Sequence, residues 1–479
     1  MTRLKPIHKS ELWGRLPEPW DDENLGSQIR KALNSSGRKV VVLDDDPTGT
    51  QTVSAIPVLT HWSVDALRQE LQNDLPAFYI LTNSRSLATE QAVNISSEIG
   101  NRLQLAAAAT GQRFTIVSRS DSTLRGHFPE EMDALTAALA QEIDGWILCP
   151  FFEEGGRYTI DDVHWVQDAD RLIPVGHTDF AKDAVFGYRS SDLRDWVVEK
   201  SAGKIRPAGI CSISITDIRR GGPGRVAAIL ERMSSGRVCI VNAASYGDLE
   251  VFVMGLLAAE AQGKSFLYRT AASFVRVRAG IKPKPLLSAS TLKMTDSTGA
   301  LLVVGSYVPK TTEQLVRLFD AMPGMLPLEL DITFLQNEMS WLAAIEVIAE
   351  RADAGIRKGL AVVIYTSRKY VARATTKDRL AAGHKISQGL VAILKQIQTR
   401  PRYFLVKGGV TASDVATQAL QVRRAVVAGQ LLPGVPVWEL GPESRFPGCP
   451  LIVFPGNVGD SQALLNAVDR LSPSAPFQI

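Results

Sequence analysis

Apolar and polar positions alternate along this chain in blocks that predict strands and helices in turn. Helical periodicity is clear at 89–109, 129–142, 224–233 and 249–261. Short apolar runs rich in β-branched residues predict buried strands between them, at 40–44, 77–82, 114–118, 146–150, 209–215 and 238–242. Regular alternation of this kind predicts βαβ units and therefore a mostly parallel sheet.

The periodic pattern weakens once, between residues 276 and 298. This stretch contains Lys282-Pro283-Lys284-Pro285 and two clusters of serine and threonine, as is typical of a domain linker. Alternation then resumes, with predicted strands at 301–305, 328–332, 360–365, 403–406 and 451–454 and helices at 312–321, 340–357, 386–399 and 412–420. The pattern predicts two α/β domains with mostly parallel sheets, assigned to residues 1–275 and 300–479.

Composition narrows the class of protein. A chain of 479 residues is too long for a single core, and a net charge of +3 gives no electrostatic footprint for nucleic acid. The first 16 residues do not resemble a signal peptide, and no apolar run reaches transmembrane length. The four cysteines, Cys149, Cys211, Cys239 and Cys449, lack metal-ligand spacing. Cys149, Cys211 and Cys239 lie inside apolar runs and are expected to be buried free thiols. We therefore expect a cytoplasmic protein without nucleic-acid or membrane partners, with a homodimer as one option.

The first predicted strand ends in three consecutive carboxylates, those of Asp44, Asp45 and Asp46. Pro47 and Gly49 then force a turn. Ligands of open α/β sheets bind at the carboxyl ends of strands, where these carboxylates could hold Mg²⁺, accept a proton or bind sugar hydroxyls. The alternative is a solvated acidic turn that caps a helix. Because loops at strand ends commonly carry function, we favour a functional role.

Two more predicted strands end in polar clusters of the same kind. One is followed by Arg119-Ser120-Asp121-Ser122-Thr123-Leu124-Arg125-Gly126-His127, and the other by Asn83-Ser84-Arg85-Ser86. Arginine recognises carboxylates, while aspartate and serine suit sugar hydroxyls. Each cluster alone is equally well explained as a helix cap beside a surface arginine, but three at one sheet edge predict a shared pocket. His127 and His164 lack metal spacing, so we expect them to form hydrogen bonds.

The C-terminal half carries glycine-rich turns after three of its predicted strands. They are Gly305-Ser306, Gly408-Gly409-Val410-Thr411 and Gly456-Asn457-Val458-Gly459-Asp460. Glycine at such a turn lets backbone N–H groups approach a phosphate. None of these turns is a Walker A or GxGxxG motif, but three at corresponding strand ends predict a site for nucleotide phosphates. Lys407 could reach a phosphate or simply be exposed.

Together these motifs resemble the four-carbon acid sugar kinase family over nearly the whole chain after about residue 38. The most specific match is residues 119–126 to the family's Lys-x-Asp-Ser-Thr-Leu-Arg-Gly. The family's other motifs are matched by residues 45–49, 83–85, 150–159, 305–306, 408–411 and 456–460. Arg119 replaces a lysine found in many members, and Asp44 is an additional carboxylate, so the exact substrate stays open.

The resemblance implies an ATP-dependent kinase for a tetronate or 3-oxo-tetronate, with Mg²⁺ on the nucleotide and the active site in a cleft between the two domains. It implies that the N-terminal domain binds the acid sugar and the C-terminal domain binds ATP. It implies catalytic roles for Asp45 and Asp121, and substrate contacts from Asp45, Asp46, Arg85, Arg119, Ser120, Asp121, Ser122 and Arg157. It implies ATP contacts from Ser306, Gly408, Gly409, Val410, Thr411, Gly456 and Gly459, and it assigns no protein ligand to a metal.

Two other functions stay open at this point. In a haloacid-dehalogenase-like phosphatase, Asp44 would be the covalent nucleophile and Asp46 the acid/base. That family's later acidic motif has no good counterpart here, because Gly459-Asp460 lacks a second aspartate one turn later. A non-catalytic sugar-acid-binding protein would bind the same ligand without consuming ATP.

Overall fold

The computed structural model describes residues 4–472, apart from residues 140, 235, 293, 295, 296, 307, 369–375 and 457. The chain divides into two compact units. The first unit comprises Met1–Thr52 and His61–Pro283, and the second comprises Val53–Thr60 and Lys284–Ile479. Both combine helices with a mostly parallel sheet, which confirms the predicted fold class.

The strands and helices alternate as the sequence pattern predicts. In chain order, the strands are β1 (Ile7–His8), β2 (Arg38–Asp44), β3 (Ile56–Leu59), β4 (Ala77–Leu81), β5 (Arg113–Arg119), β6 (Gly145–Cys149), β7 (Arg157–Ile160), β8 (Val163–Asp168), β9 (Arg171–Pro174), β10 (Ile210–Ile213), β11 (Arg237–Val241), β12 (Phe266–Thr270), β13 (Leu301–Val304), β14 (Leu326–Leu330), β15 (Val362–Thr366), β16 (Phe404–Lys407), β17 (Arg424–Leu432), β18 (Val435–Leu440) and β19 (Pro450–Phe454). The helices are α1 (Lys9–Trp13), α2 (Leu25–Ser36), α3 (Val64–Gln72), α4 (Thr89–Thr110), α5 (Glu130–Ala138), α6 (Leu193–Lys200), α7 (Ile215–Arg219), α8 (Gly222–Glu231), α9 (Tyr246–Ala261), α10 (Ala272–Arg278), α11 (Pro309–Ala321), α12 (Glu338–Arg357), α13 (Thr376–Gln396), α14 (Gly409–Asp414) and α15 (Ala463–Leu471).

The main sheet of the first unit has the strand order β10-β11-β6-β12-β5-β2-β4, and these pairings are parallel. Parallel sheets are covered on both faces, so their strands are near-continuous apolar runs. Val40, Val41 and Val42 in β2 accordingly have at most 1% of their surface exposed. A smaller antiparallel sheet of order β1-β9-β8-β7 belongs to the same unit.

The sheet of the second unit has the strand order β3-β17-β18-β19-β16-β13-β15-β14. The pairings from β19 to β14 are parallel, whereas β3, β17 and β18 pair antiparallel at the other side. Leu302, Leu405 and Ile452 from neighbouring parallel strands form one buried cluster with Leu318 and Leu464 from α11 and α15. Through this cluster, α11 and α15 cover one face of the sheet.

Several strands escape a prediction based on continuous apolar runs. β17 alternates between buried and partly exposed positions, so its period is two, and Pro433-Gly434 forms the turn to β18. The apolar part of β12 is only Phe266–Tyr268, which is too short to stand out. Val53–Thr60 falls within the predicted N-terminal domain, but it belongs to the second unit because β3 pairs with β17.

The apolar character of the helices and the state of the cysteines are two further features of the structure. Within the described residues, no helix combines the length and the apolar character that crossing a membrane requires. All four cysteines are free thiols, as predicted for Cys149, Cys211 and Cys239. The expectation that Cys211 is buried is wrong, because it is partly exposed, whereas the other three are buried.

Candidate functional site

The parallel register of the first unit brings the ends of its central strands into one row. Asp44 at the end of β2 is paired with Leu81 of β4 and with Arg119 of β5, and Arg119 is in turn paired with Thr270 of β12. The loops that leave these strands therefore begin side by side at the carboxyl edge of the sheet. Open α/β sheets bind their ligands at this edge.

Arg119 lies beneath the acidic turn and binds it from inside the protein. Its Nε donates to Asp44 Oδ1 at 2.6 Å, and its Nη2 donates to the carbonyl oxygen of Asp46 at 2.6 Å. A Cβ on Gly49 would lie 2.0 Å from Arg119 Nε, so the turn requires glycine there. Because Arg119 is 5% exposed and engaged in this way, we interpret it as holding the turn together rather than contacting the sugar acid.

Arg85 joins two of the polar loops. Its Nη2 lies 2.5 Å from Asp46 Oδ2, and its Nη1 lies 3.2 Å from Asp121 Oδ1. Asp46 also accepts a hydrogen bond from the backbone N–H of Thr48 at 2.8 Å, so the alternative of an acidic cap holds for this one residue. Burial alone would raise the pKa of Asp46. Nearby positive charge, above all that of Arg85, outweighs burial and holds the pKa of Asp46 below its usual range.

Asp121 organises the loop that follows β5. It accepts a hydrogen bond from Arg125 Nε at 2.7 Å and another from the Thr123 hydroxyl. Although burial opposes its charge, Arg125 and Arg85 hold the pKa of Asp121 well below its usual range. Ser120 is buried, with its hydroxyl 3.1 Å from that of a neighbouring serine. Asp121 is therefore an ionised carboxylate whose partners are already in place.

Two side chains from outside the loop fix its backbone. His164 Nε2 lies 2.8 Å from the Ser122 carbonyl oxygen, and its Nδ1 lies 2.9 Å from the Thr159 hydroxyl. Burial lowers the pKa of His164 to about 4, so the ring is neutral and Nε2–H donates to the carbonyl. Tyr188 donates its hydroxyl proton to the Thr123 carbonyl oxygen at 2.6 Å. His164 thus has the hydrogen-bonding role expected from the sequence.

Asp45 differs from the other carboxylates of the cluster. It is 4% exposed, and among the described residues no donor makes a hydrogen bond to either of its carboxylate oxygens. Its nearest cations are Arg119 Nη2 and Arg85 Nη1, which lie 3.3 Å and 3.8 Å from Oδ1. Buried polar groups are rarely left without partners, so Asp45 is equipped to accept a hydrogen bond from a ligand.

Two arginines of the cluster form no ion pair with a carboxylate in the described part of the chain: Arg157 and Arg269. Arg157 Nε and Arg269 Nη1 are buried without an acceptor there. The sequence motifs pointed to Arg157 but missed Arg269, which follows the short apolar part of β12. A strand signal at 266–268 ending in Arg-Thr could have indicated it.

The glycine-rich turns of the second unit also meet at one sheet edge, since β13, β16 and β19 are neighbours. Gly305 lies against Thr411, because a Cβ there would be 2.2 Å from Thr411 Oγ1. A Cβ on Gly456 would be 3.2 Å from Ser306 Oγ. The structure therefore brings Ser306 together with turns 408–411 and 456–459, while Asn457 lies outside the described residues. Backbone this close-packed and rich in glycine is suited to phosphate.

Buried polar side chains support these turns from below. Lys407 has 0% of its surface exposed, and its Nζ donates to the Pro455 carbonyl oxygen at 3.1 Å. Burial lowers the pKa of Lys407 to about 7. Arg368 Nη1 donates to the Ser306 carbonyl oxygen at 2.6 Å, and Gln314 Nε2 donates to the Asp460 carbonyl oxygen at 2.6 Å. Lys407 is therefore not exposed, and its Nζ contacts the turn that follows β19.

Metal-ligating side chains do not gather in the resolved ranges. Groups of three or more His, Cys, Asp or Glu with a geometry for a metal ion are absent among the described residues. Asp44, Asp46 and Asp121 instead face arginines. The carboxylates at the sheet edge therefore form an arginine-aspartate network.

Comparison with known proteins agrees with this architecture. A family model described as "Sugar-binding N-terminal domain" matches residues 40–278, and one described as "Nucleotide-binding C-terminal domain" matches residues 301–464. A D-erythronate kinase of Heliobacterium modesticaldum is 24% identical over 456 residues, covering 90% of this chain and 97% of the relative. A 3-oxo-tetronate kinase of Cupriavidus necator is 27% identical over 333 residues, covering 67% of this chain and 71% of the relative.

A solved structure shares the fold. The crystal structure of a Haemophilus influenzae protein from a domain-of-unknown-function family superposes with a TM-score of 0.60 at 18% identity, covering 90% of this chain and 100% of that one. The two matched domain models together span most of the chain. The chain therefore belongs to the four-carbon acid sugar kinase family.

Proposed function

We propose that this protein transfers the γ-phosphoryl group of ATP to a hydroxyl of a tetronate or 3-oxo-tetronate. The observation that carries the proposal is the state of Asp45. This buried carboxylate is flanked by two guanidinium groups, and neither of its oxygens accepts a hydrogen bond in the described structure. Family membership and the names of the two kinases similar to this chain support the same reaction.

Asp45 would orient the attacking hydroxyl and accept its proton as transfer proceeds. Phosphoryl transfer depends mainly on positioning and charge neutralisation, so one well-placed carboxylate suffices for the acceptor. Arg119 Nη2 and Arg85 Nη1, at 3.3 Å and 3.8 Å from Asp45 Oδ1, place positive charge beside this carboxylate. Asp121 would position Arg85 and the loop 120–126, because its oxygens are already engaged.

Arg157 is the best candidate for binding the carboxylate of the sugar acid. Among the other cations at the sheet edge, Arg85, Arg119 and Arg125 already face protein carboxylates. Arg269 also forms no ion pair in the described structure, but it is only 3% exposed. Arg157 Nε is buried without an acceptor in the described structure, and the residue is only partly buried. A guanidinium that forms no ion pair with the protein could bind the carboxylate of an acid sugar and so distinguish it from a neutral sugar.

Arg157→Met should raise the KM for the sugar acid by roughly ten- to a hundredfold, since a hydrogen bond to a charged group contributes about 1.5–3 kcal/mol. The KM for ATP should hardly change. Steady-state kinetics with each substrate varied would measure both. Arg189→Met is a matched control, because that side chain is 94% exposed. An unchanged KM for the sugar acid in Arg157→Met would assign the carboxylate to another residue.

We propose that the nucleotide phosphates bind the glycine turns of the second unit, with Ser306, Gly408–Thr411, Gly456 and Gly459 as contacts. Mg²⁺ would enter as part of the MgATP substrate, because magnesium usually binds through phosphates and few protein ligands. Lys407, Arg368 and Gln314 would hold the carbonyl groups of these turns so that backbone N–H groups face the nucleotide.

Gly305→Ala should raise the KM for ATP by roughly ten- to a hundredfold, because its Cβ would lie 2.2 Å from Thr411 Oγ1 and displace the second glycine turn. Sugar-acid affinity should be retained. Isothermal titration with a non-hydrolysable ATP analogue would measure the effect. Gly324→Ala is the control, since a Cβ there meets open space. If Gly305→Ala binds the analogue as tightly as the unmodified protein, the turn does not contact the phosphates.

The phosphatase alternative is disfavoured by the placement of Asp44. A covalent nucleophile must be accessible to the phosphorus atom, but Asp44 is 1% exposed and its Oδ1 is bonded to Arg119. The decisive experiment supplies purified protein with MgATP and a panel of stereochemically defined tetronates and 3-oxo-tetronates. We expect ADP and a phosphorylated sugar acid in equal amounts. Binding of a tetronate without ADP formation would favour a non-catalytic binding protein, and phosphate release from sugar phosphates would favour the phosphatase.

A further inference from the structure

A small cavity lies beside Asp45 in the first unit. Its volume is about 10 Å³, which is sufficient for one water molecule. The lining residues come from several elements at the sheet edge and are mostly polar: Leu43, Asp45, Thr82, Ser84, Ser96, Ser118, Glu131 and Leu135. Empty cavities in proteins are typically apolar, so a lining of this kind favours a bound water.

Polar atoms of this lining lack partners in the part of the chain that the structure describes. They are both carboxylate oxygens of Asp45 and the hydroxyl of Ser84, which are 4% and 1% exposed as residues. Thr82 and Ser118 already have hydrogen bonds, to the Asp44 carbonyl oxygen at 3.0 Å and to Ser120 at 3.1 Å. A carboxylate and a hydroxyl therefore border the same small space with hydrogen-bonding capacity unused.

Glu131, in the first turn of α5, forms another wall of the cavity and is 6% exposed. Burial raises the pKa of Glu131 to about 7, while the Ser84 hydroxyl and the Arg269 guanidinium oppose the rise. Asp45 from the end of β2 and Glu130 from the same helix add to it. Ser96 of α4 is the remaining polar neighbour across the cavity and carries no charge. Below about pH 7, Glu131 therefore retains a proton that it can donate.

We propose that one water molecule occupies this cavity, and that protonated Glu131 holds it so that the water donates a hydrogen bond to Asp45 and fixes the orientation of that carboxylate. The hydrogen bonds balance, because a water molecule can accept from Glu131 and donate to Asp45 and Ser118, while the Ser84 hydroxyl beside Glu131 can donate to either of them. Glu131 is then a positioning residue that acts on the acceptor carboxylate without touching the sugar. This effect on catalysis rests on the proposed kinase function, whereas the water site does not.

High-resolution crystal structures of the unmodified protein, Glu131→Gln and Glu131→Leu test the water site directly. We expect one ordered water within hydrogen-bond distance of Asp45 in the unmodified protein and in Glu131→Gln, whose amide still donates. Glu131→Leu should lose the water or shift Asp45. A dry cavity in the unmodified protein, or the same water and the same Asp45 position in Glu131→Leu, would overturn the proposal.

Unfolding as a function of pH gives a second readout that needs no activity. A carboxyl whose pKa is higher in the folded protein contributes stability below the ordinary pKa of 4.5, and this stability is lost as the pH rises through about 7. The Tm of Glu131→Gln relative to the unmodified protein should therefore increase over this range. A pH-independent difference for Glu131→Gln would contradict a protonated Glu131.

Kinetics test the effect on Asp45. Glu131→Leu should lower kcat by roughly tenfold or more, a typical loss for removing an outer hydrogen-bonding partner, with the KM for ATP unchanged. Glu131→Gln should retain kcat and should not share the decline above neutral pH that ionisation of Glu131 causes in the unmodified enzyme. Equal losses in both variants would contradict the positioning role. If the unmodified protein phosphorylates no tetronate, the kinase proposal fails, while the crystals and unfolding curves still decide the water site.

Discussion

Asp45→Asn is expected to lower kcat for phosphorylation of the sugar acid by roughly a hundredfold or more, a typical loss when a general base is removed. Asparagine keeps the shape of the side chain but cannot accept the proton of the attacking hydroxyl. The KM for ATP should hardly change, because the proposed nucleotide contacts lie in the second unit. Single-turnover kinetics at saturating ATP would measure the chemical step separately from product release.

The control for this experiment is Asp179→Asn, which removes a carboxylate that is 96% exposed in the same unit. It should keep full activity. Thermal unfolding of both variants would show whether Asp45→Asn loses turnover without losing the fold. Full activity of Asp45→Asn, or an acyl phosphate trapped on Asp44, would refute the mechanism proposed here. A loss of stability without a selective loss of turnover would leave Asp45 with a structural role only.

Arg119→Met is expected to lower the free energy of unfolding by about 3–5 kcal/mol, the usual consequence of leaving one partner of a buried ion pair without compensation. Asp44 would then be a carboxylate that is 1% exposed and lacks its cation. Urea denaturation would measure the change. The variant should also lose turnover in the folded state, because Arg119 contacts the turn that carries Asp45.

A second buried pair in the same unit provides a matched control. Arg219 donates to both oxygens of Asp248, at 2.7 Å from Nε and 3.0 Å from Nη2, and these side chains are 6% and 2% exposed. Arg219→Met should cost similar stability and leave kcat of the folded protein unchanged. If Arg119→Met is as stable as the unmodified protein and only weakens sugar-acid binding, Arg119 contacts the substrate and our interpretation of it is wrong.

Much of the architecture follows from local sequence patterns. Runs such as Val40–Leu43 are long enough and sufficiently β-branched to predict buried parallel strands, and the intervening helical periodicity predicts the crossovers. Because parallel strands end at a common edge, the sequence alone predicts that the polar residues after β2, β4 and β5 lie in one region. Each of these inferences uses only residues close together along the chain.

Strands with weaker patterns could not be predicted in this way. β12 has only three consecutive apolar residues before Arg269, so its sequence does not stand out as that of a strand. The pairing of β3 with β17 joins residues more than three hundred positions apart. β3 is only four residues long and contains Pro57, and β17 alternates between buried and partly exposed positions, so neither gives a strong strand signal. Such long-range pairings depend on the competition among all available strand edges, which a local pattern does not contain.

By itself, the sequence determined that this protein has two α/β halves, one with acidic and basic loops at its strand ends and one with glycine turns. Only the tertiary structure decided which charges are paired. Arg119 and Asp44, 75 positions apart, neutralise each other beneath the turn, while Asp45 and Arg157 keep unused hydrogen-bonding atoms. The tertiary structure also buries Lys407 under the glycine turns and Glu131 beside Asp45. The reason is physical: residue types specify which groups can interact, whereas distance and desolvation decide which of them do.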